Sequence, residues 1–347
     1  MKAACAHLLA ILLLAGGAVV RAEVYELPPV GNDVIGAVSS VMARAEDTLL
    51  DIARRHGLGY EDIVRANPAV DPWLPGEGTT VVLPTRFVLP PGPRRGVVLN
   101  LAEYRMYYYP KAKDGEQPVV MTYPMSIGRM DWNTPLGLTR IVSKVQNPSW
   151  YPPESVRKEH EEEGRPLPRV VPPGPDNPLG RHAMRLGITS GAYLIHGTNR
   201  PAGVGMQVTH GCVRMFPEDI EFLFEQVGID TEVRIINEPV KMGWDGDQLH
   251  LEVHRVLDET PAAVEDMDGV VIVEPGAEAA VDDGEIIVEA PVRGRLTTLT
   301  VQFVAATNSK PGELDWDHAE RLLERADGIP APVGRSIKNA ATSAASE

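Results

Sequence analysis

Apolar positions recur at two different periods along this chain, and the change of period divides it. From Gly96 onward the spacing is that of strands: Val97, Leu99 and Leu101 alternate up to a turn at Ala102-Glu103, and Arg105 to Tyr109 runs back, which is a hairpin pattern. Val119 to Ile127, Thr139 to Val145 and Tyr193 to Ile195 predict further strands, punctuated by Gly128, Thr134-Pro135 and Gly137. One helix, Pro217 to Val227, closes this block near Ile236. Ahead of it lies a smaller pattern. A β run at Ser40 to Arg44 leads to Asp47-Thr48, a natural N-cap, and Leu49, Ile52 and Ala53 fall on one helical face before Gly57. A second short helix spans Tyr60 to Ala66, with Ile63 and Val64 inward, and Pro75-Gly76 turns into a strand at Thr79 to Leu83. Asn147 to Gly180 is Pro-rich and too polar for core, so it predicts a long loop of the kind that serves as a lid or binding loop. Near the end, Leu296 to Val304 reads as strand. Leu314 to Ala326 reads as a helix with Leu314, Ala319, Leu322 and Leu323 inside. The expected class is mainly β.

Two segments fall outside that pattern. Lys2 followed by the apolar run Leu8 to Val20 and the small-residue site Val20-Arg21-Ala22 predicts a secretory signal, residues 1–22, cut after Ala22. The alternative is an uncleaved anchor, because Ala3 to Val20 is nearly long enough to span a bilayer. With 33 Lys plus Arg against 48 Asp plus Glu, a formal charge of −15 argues against nucleic acid as partner. Much of the excess is local: Asp258 to Pro291 holds eleven acids and no base, the composition of a solvated linker. The last dozen residues are expected to be disordered.

Of the two cysteines, Cys5 departs with the signal and leaves Cys212 as the single thiol of an exported chain. Such a thiol is either buried and inert or used as a nucleophile. Its neighbours favour use. His196 lies sixteen residues upstream at a predicted strand end, His210 two residues away, and Gly211 offers a backbone N–H that can approach an oxyanion closely. An imidazolium at His196 would lower the Cys212 thiol from about 8.5 towards neutrality. His196, His210 and Cys212 are also zinc-type ligands, but three ligands without a Cys-x-x-Cys pair make a poor metal site, so no metal and no cofactor is expected. His160, His182 and His250 read as surface or packing residues.

The stretch IHGTNRPAGVGMQVTHGCVRM, Ile195 to Met215, resembles the L,D-transpeptidase family (YkuD-type catalytic domain) of peptidoglycan enzymes. The family signature is met by His196-Gly197, then Thr209-His210-Gly211-Cys212-Val213-Arg214. Ile127-Gly128, Thr134-Pro135-Leu136-Gly137 and Asn177-Pro178-Leu179-Gly180 match as well. The resemblance implies a β-sandwich-like catalytic domain, with Cys212 as acyl-forming nucleophile, His196 as base and acid, and His210 against the acyl site. It also implies Gly211 and Cys212 N–H groups as oxyanion donors. A backbone carbonyl, that of Gly197, is expected to orient His196, since no acid adjoins it. Arg214 either binds a substrate carboxylate or forms a structural ion pair; Thr209, Gly197, Trp150 and Tyr151 complete the expected substrate site.

The upstream βααβ unit, AEDTLLDIARRHGLGYEDIVRANP with LPGEGTTVVLP, resembles the LysM module, which implies binding of peptidoglycan glycan strands at Asp47, Thr48 and Asn67. Glu46 stands where that family usually has Gly. The expected layout is therefore a signal at 1–22, a LysM-like domain at 36–85, the catalytic domain at 94–237, a C-terminal subdomain at 238–257 and an acidic, partly disordered α+β extension at 258–347. Wall binding and thiol chemistry are expected on separable modules. The implied activity is transfer of a tetrapeptide stem, with loss of D-Ala, to a second stem or to an envelope lipoprotein, in the periplasm or cell envelope. Hydrolysis as an L,D-carboxypeptidase or a lipoprotein-releasing enzyme is one alternative, and a non-catalytic wall-binding protein is another. No membrane segment is expected after signal cleavage.

Overall fold

The computed structural model describes residues 23–128, 134–189, 192–257, 279–282, 285–288 and 292–337. The expected signal, Cys5, the acidic stretch 258–278 and residues 338–347 lie outside the described residues. No described helix is long and apolar enough to cross a membrane.

The chain begins inside the large sheet, leaves it and returns. Strand β1 (Glu23–Glu26) pairs antiparallel with residues Val119–Thr122 of the block that follows, and so forms an edge of its sheet. A small unit then follows: β2 (Val34–Met42), α1 (Leu49–Arg55), α2 (Tyr60–Ala66) and β3 (Thr80–Val88). Thr48 caps α1 through a reciprocal pair with Asp51: its hydroxyl accepts from the Asp51 N–H at 3.1 Å, and the Asp51 carboxylate accepts from the Thr48 N–H at 3.0 Å. Both strands run longer than the sequence predicts, pairing residue for residue from Val34 opposite Val88 to Met42 opposite Thr80. The β2 apolar pattern is faint because most of its residues are exposed. Pro84 is tolerated because a two-stranded ladder has free edges.

The block from Gly96 onward comprises β4 (Gly96–Asn100), β5 (Arg105–Tyr109), β6 (Val119–Pro124), β7 (Ile127–Gly128), β8 (Gly137–Gln146), α3 (Glu154–Glu162), β9 (His182–Leu186), β10 (Leu194–His196), β11 (Gln207–Thr209), β12 (Val213–Arg214), α4 (Pro217–Gln226) and β13 (Glu232–Ile236). Nine strands form one sheet in the order β1-β6-β5-β4-β13-β8-β9-β10-β12. Its central strands are buried on both faces, so β4 reads as a continuous apolar run. Val97 and Leu99 face a core shared with Ile220 and Leu223 of α4. Val98, with Tyr107, Tyr109 and Val120, faces the opposite way and packs against Ile35, Leu49, Ile52, Leu58, Ile63 and Phe87 of the small unit. That unit is thus one wall of the sheet, not a bead on a tether.

The C-terminal part holds β14 (Val240–Asp245), β15 (Gln248–Val253), β16 (Ala279–Asp282), β17 (Glu285–Val288), α5 (Val292–Thr307), β18 (Gly312–Leu314), α6 (Trp316–Arg325) and β19 (Ala331–Ser336). A four-stranded sheet, β14-β15-β19-β18, joins both sides of the boundary expected at Asp258, so residues 240–253 and 312–336 fold together. The strand expected at Leu296 to Val304 is helix α5. Its β-branched residues suit a strand by type, but strand alternation would put Leu299 and Val301 on one face. Instead Leu299 is buried and Val301 is 59% exposed, while Leu299, Phe303 and Ala306 follow helical spacing into the core. The α6 helix starts at Trp316 because Asp315 caps it, its carboxylate accepting from the His318 N–H at 2.9 Å.

Where the three parts meet, a charged cluster is buried. Lys241 Nζ lies 2.7 Å from Glu103 and 3.0 Å from Glu252, and Glu252 is 2.7 Å from His254. Lys241 also donates to the Val88 carbonyl at 2.5 Å, and Tyr107 donates to Glu103 at 2.5 Å. Burial pushes the Glu252 carboxyl up, but Lys241, His254 and the Val88 N–H together hold it below the ordinary carboxylate range.

Candidate active site

Strands β10 and β12 lie side by side and parallel, with Ile195 opposite Val213 and His196 opposite Arg214. The chain leaves β10 at His196, passes a 3-10 turn at Pro201–Gly203 and strand β11, and comes back through Cys212 into β12. A sequence separation of sixteen residues thereby becomes adjacency of two strands. The turn bearing the thiol is stiffened from within: the Thr209 hydroxyl donates to the Cys212 carbonyl at 2.5 Å, and Thr134 donates to the Gly211 carbonyl at 3.0 Å. Gly211 sits at φ +88°, a left-handed conformation that suits glycine and strains any residue with a Cβ.

His196 is buried, and its Nδ1 lies 2.6 Å from the Gly197 carbonyl oxygen. A carbonyl can only accept, so Nδ1 carries the proton and Nε2 keeps its lone pair for a substrate or thiol proton. Burial, reinforced by Arg214 and opposed by the Gly197 and Leu179 backbone, lowers the imidazole to about 4. Burial also pushes the Cys212 thiol up, against the Leu194 backbone and Arg214, which favour the thiolate. The sulfur lies 3.7 Å from the Ala192 carbonyl. Both shifts favour the uncharged forms, a thiol at Cys212 and a neutral imidazole at His196. The standing imidazolium and low-pKa thiol expected from sequence are disfavoured because desolvation penalises both charged forms at once.

Several other expected residues are brought to this site, some in changed roles. His210 Nε2 meets Glu159 of α3 at 2.9 Å. The segment 147–180 is thus more than a loop: Asn177, fully buried, ties it together by donating to the Pro148 carbonyl at 2.9 Å and accepting from the Leu179 N–H at 2.9 Å. The helix signal was present in ESVRKEHEE after Pro152-Pro153, but nothing local pairs Glu159 with a residue 51 positions away. Trp150 is half-buried in a bridge with Val171, whereas Tyr151 is 69% exposed. Thr209 is buried with its hydroxyl engaged inside the turn, so it shapes the loop rather than offering a free group. Gly197 leaves room for Ile220, whose Cγ2 would stand 3.1 Å from an added Cβ. Arg214 keeps a buried Nε with no hydrogen-bond partner among the described residues, and burial with nearby Arg200 lowers its guanidinium. A structural ion pair for Arg214 is therefore not seen among the described residues.

The three residues expected to touch glycan are held by the small unit itself. Asp47 is buried and paired with Arg55 at 2.6 and 2.7 Å, Thr48 caps α1, and Asn67 bridges α2 to β3 through the Ile63 carbonyl and both backbone groups of Val82. Beside them, Trp73 and Leu74 are 58% and 81% exposed; an apolar pair between Asp71-Pro72 and Pro75-Gly76 was the available sequence signal. His182 and His250 are buried packing residues, the former against the Phe224 ring at 4.8 Å. Among the described residues, Glu103, Glu252 and His254 have donor atoms close enough to share a cation, but the Lys241 ammonium already stands among those carboxylates.

Comparison with known proteins follows the same residues. The YkuD family model, described as the L,D-transpeptidase catalytic domain, matches residues 94–235. The chain is 40% identical over 243 residues, 69% of its length and 75% of the relative's, to the probable L,D-transpeptidase YcfS of Escherichia coli K12. It is 34% identical over 313 residues, 89% of its length and 90% of the relative's, to the probable L,D-transpeptidase ErfK/SrfK of Salmonella typhimurium. Among solved structures, L,D-transpeptidase 3 from Mycobacterium tuberculosis is matched over 60% of this chain and 95% of that one, at 21% identity and a TM-score of 0.29.

Proposed function

The chain belongs to the L,D-transpeptidase family, and from that premise we propose that it is an exported enzyme which acylates Cys212 with a peptidoglycan tetrapeptide stem and passes the acyl group to an amine. The observation that carries this reading is His196. It is buried, neutral, held at Nδ1 by Gly197, and borne on the strand that pairs with the one Cys212 opens. As the sulfur attacks the carbonyl on the L-centre of the stem's diamino acid, its proton passes to Nε2 of His196. The Gly211 and Cys212 N–H groups face the resulting oxyanion. His196 then returns the proton to the departing D-Ala amine, leaving a thioester. An acceptor amine attacks that thioester, its proton going to His196 and then to the released sulfur.

Arg214, with Arg200 beside it, suits a substrate carboxylate, since its guanidinium offers a planar fork without an acid partner among the described residues. With a second stem as acceptor the product is a 3-3 cross-link; with a lipoprotein lysine, an anchored protein; with water, a shortened stem. The small N-terminal unit serves as a LysM-like wall-binding module, with Trp73 as the exposed aromatic face for a sugar ring. Export through the apolar N-terminal run puts the enzyme in the periplasm or cell envelope.

Purified protein incubated with tetrapeptide muropeptides, with products read by mass, tests the mechanism. D-Ala release and a new acyl product are expected from the native chain. Cys212→Ala is expected to abolish both while still sedimenting with insoluble peptidoglycan. Unchanged products from the Ala variant reject Cys212 as the nucleophile.

A further inference from the structure

The N-terminal unit grips the segment that carries Cys212 from both ends. Upstream, the chain between His196 and Thr209 is pinned on one side by β6–β7, where Ser126 donates to the Gly203 carbonyl at 2.6 Å and the Ile127 N–H to the Met206 carbonyl at 3.2 Å. On its other side stands α2. The Tyr60 N–H donates to the Val204 carbonyl at 3.0 Å, and the Glu61 N–H to the Gly205 carbonyl at 3.3 Å. These are first-turn amides, which an α-helix cannot satisfy internally; the loop between His196 and Cys212 satisfies them. The approach is backbone against backbone. A Cβ on Gly59 would stand 2.7 Å from the Gly205 Cα, and one on Gly205 would stand 2.4 Å from the Tyr60 nitrogen. Downstream, Arg54 of α1 donates twice, at 2.7 Å each, to Glu218 in the first turn of α4, four residues beyond Arg214. Its guanidinium also lies 5.4 Å from the centre of the Phe216 ring.

We infer that the N-terminal unit is a positioning element for the nucleophile: through Gly59 against Gly205, and Arg54 against Glu218, it sets where the Thr209–Cys212 turn stands relative to His196. The inference rests on Cys212 being the nucleophile proposed above. Each half of the grip touches a different flank of the turn, so the unit determines its place as well as covering the sheet. Reacting groups displaced by about 1 Å cost on the order of a hundredfold in rate, and a contact this close transmits such displacements because neither backbone can yield cheaply.

Gly59→Ala in the full chain is the probe. Gly59 has φ −91°, which any residue adopts, so the substitution adds no backbone strain of its own and presses chiefly on Gly205, with the Pro124 Cβ next at 3.3 Å. With tetrapeptide muropeptides, kcat is expected to fall at least tenfold with KM within twofold. The iodoacetamide alkylation rate of Cys212 is expected to change more than threefold, at temperatures well below the melting point of the variant. Glu77→Ala, on an exposed turn of the same unit, is expected to match the native chain. Native kcat and alkylation rate in Gly59→Ala overturn the inference. Should Gly59→Ala not fold, Arg54→Ala, Glu218→Ala and their double variant decide: slower alkylation in each single variant, with the double no slower than the worse single, supports the grip, and native rates overturn it. If the native chain turns over no muropeptide, the transpeptidase reading fails, while the alkylation arm still decides the positioning.

Discussion

Burial acts on Cys212 and His196 together, and the direction decides how the thiol is activated. A Cys-His pair can rest as thiolate and imidazolium, but here desolvation pushes the half-buried Cys212 thiol up and the buried imidazole down to about 4, which favours the uncharged forms. In the proposed reaction the proton then moves with the attack instead of ahead of it. Alkylation of Cys212 should therefore rise with pH through a midpoint at or above the ordinary thiol value. His196→Ala should leave that midpoint nearly unmoved while abolishing muropeptide turnover. Because macroscopic midpoints belong to the pair, the decisive result is the wild-type curve: substantial thiolate reactivity below about pH 7 would restore the ion pair. At the same scale, Glu159 against His210 was illegible in sequence, because a contact between residues 51 apart follows from how the 147–180 excursion folds back.

Among the elements, the β2–β3 unit changes most between sequence and structure. Its helices are visible from caps and spacing, and Thr48 caps α1 as its position predicts, whereas Asn67 bridges α2 to β3. Its dependence on the sheet is not visible, since the apolar run Val97-Val98-Leu99 does not say what covers either face. Deleting residues 36–85 would uncover Val98, Tyr107, Tyr109 and Val120. At about 1.5–3 kcal/mol for each fully buried large side chain, the loss is on the order of the whole stability of a domain, about 5–15 kcal/mol. The truncated chain is expected to aggregate or melt below 37 °C, not to persist as a free catalytic domain. A soluble truncation with a cooperative melt near that of the full chain would contradict this.

Across the whole molecule, three parts converge on Lys241. It joins Val88 of the N-terminal unit, Glu103 and Tyr107 of the large sheet, and Glu252 of the C-terminal sheet. Removing one partner from a buried ion cluster leaves the rest uncompensated, at a cost of about 3–5 kcal/mol. Lys241→Met, close in length and without the charge, should lower the melting temperature by many degrees and loosen all three parts in one transition. Replacing Glu103 and Glu252 by Gln in the same variant should recover part of the loss. A Lys241→Met protein melting within a degree or two of wild type would show that the cluster does not hold the parts together.

Cys212, His196, His210, Gly211 and Arg214 could be singled out from the sequence because they fall in one short ordered motif, and the hairpins and capped helices were legible because their signals are local and periodic. Local signals also misled: in α5 the β-branched residue types pointed to a strand, and only packing of Leu299, Phe303 and Ala306 on one side chose the helix. The charge state of the Cys-His pair, the docking of Gly59 on Gly205 and the cluster around Lys241 were decided by tertiary structure alone. Desolvation, close backbone approach and buried ion pairing all depend on which distant segments meet, and no spacing along a chain encodes that by itself.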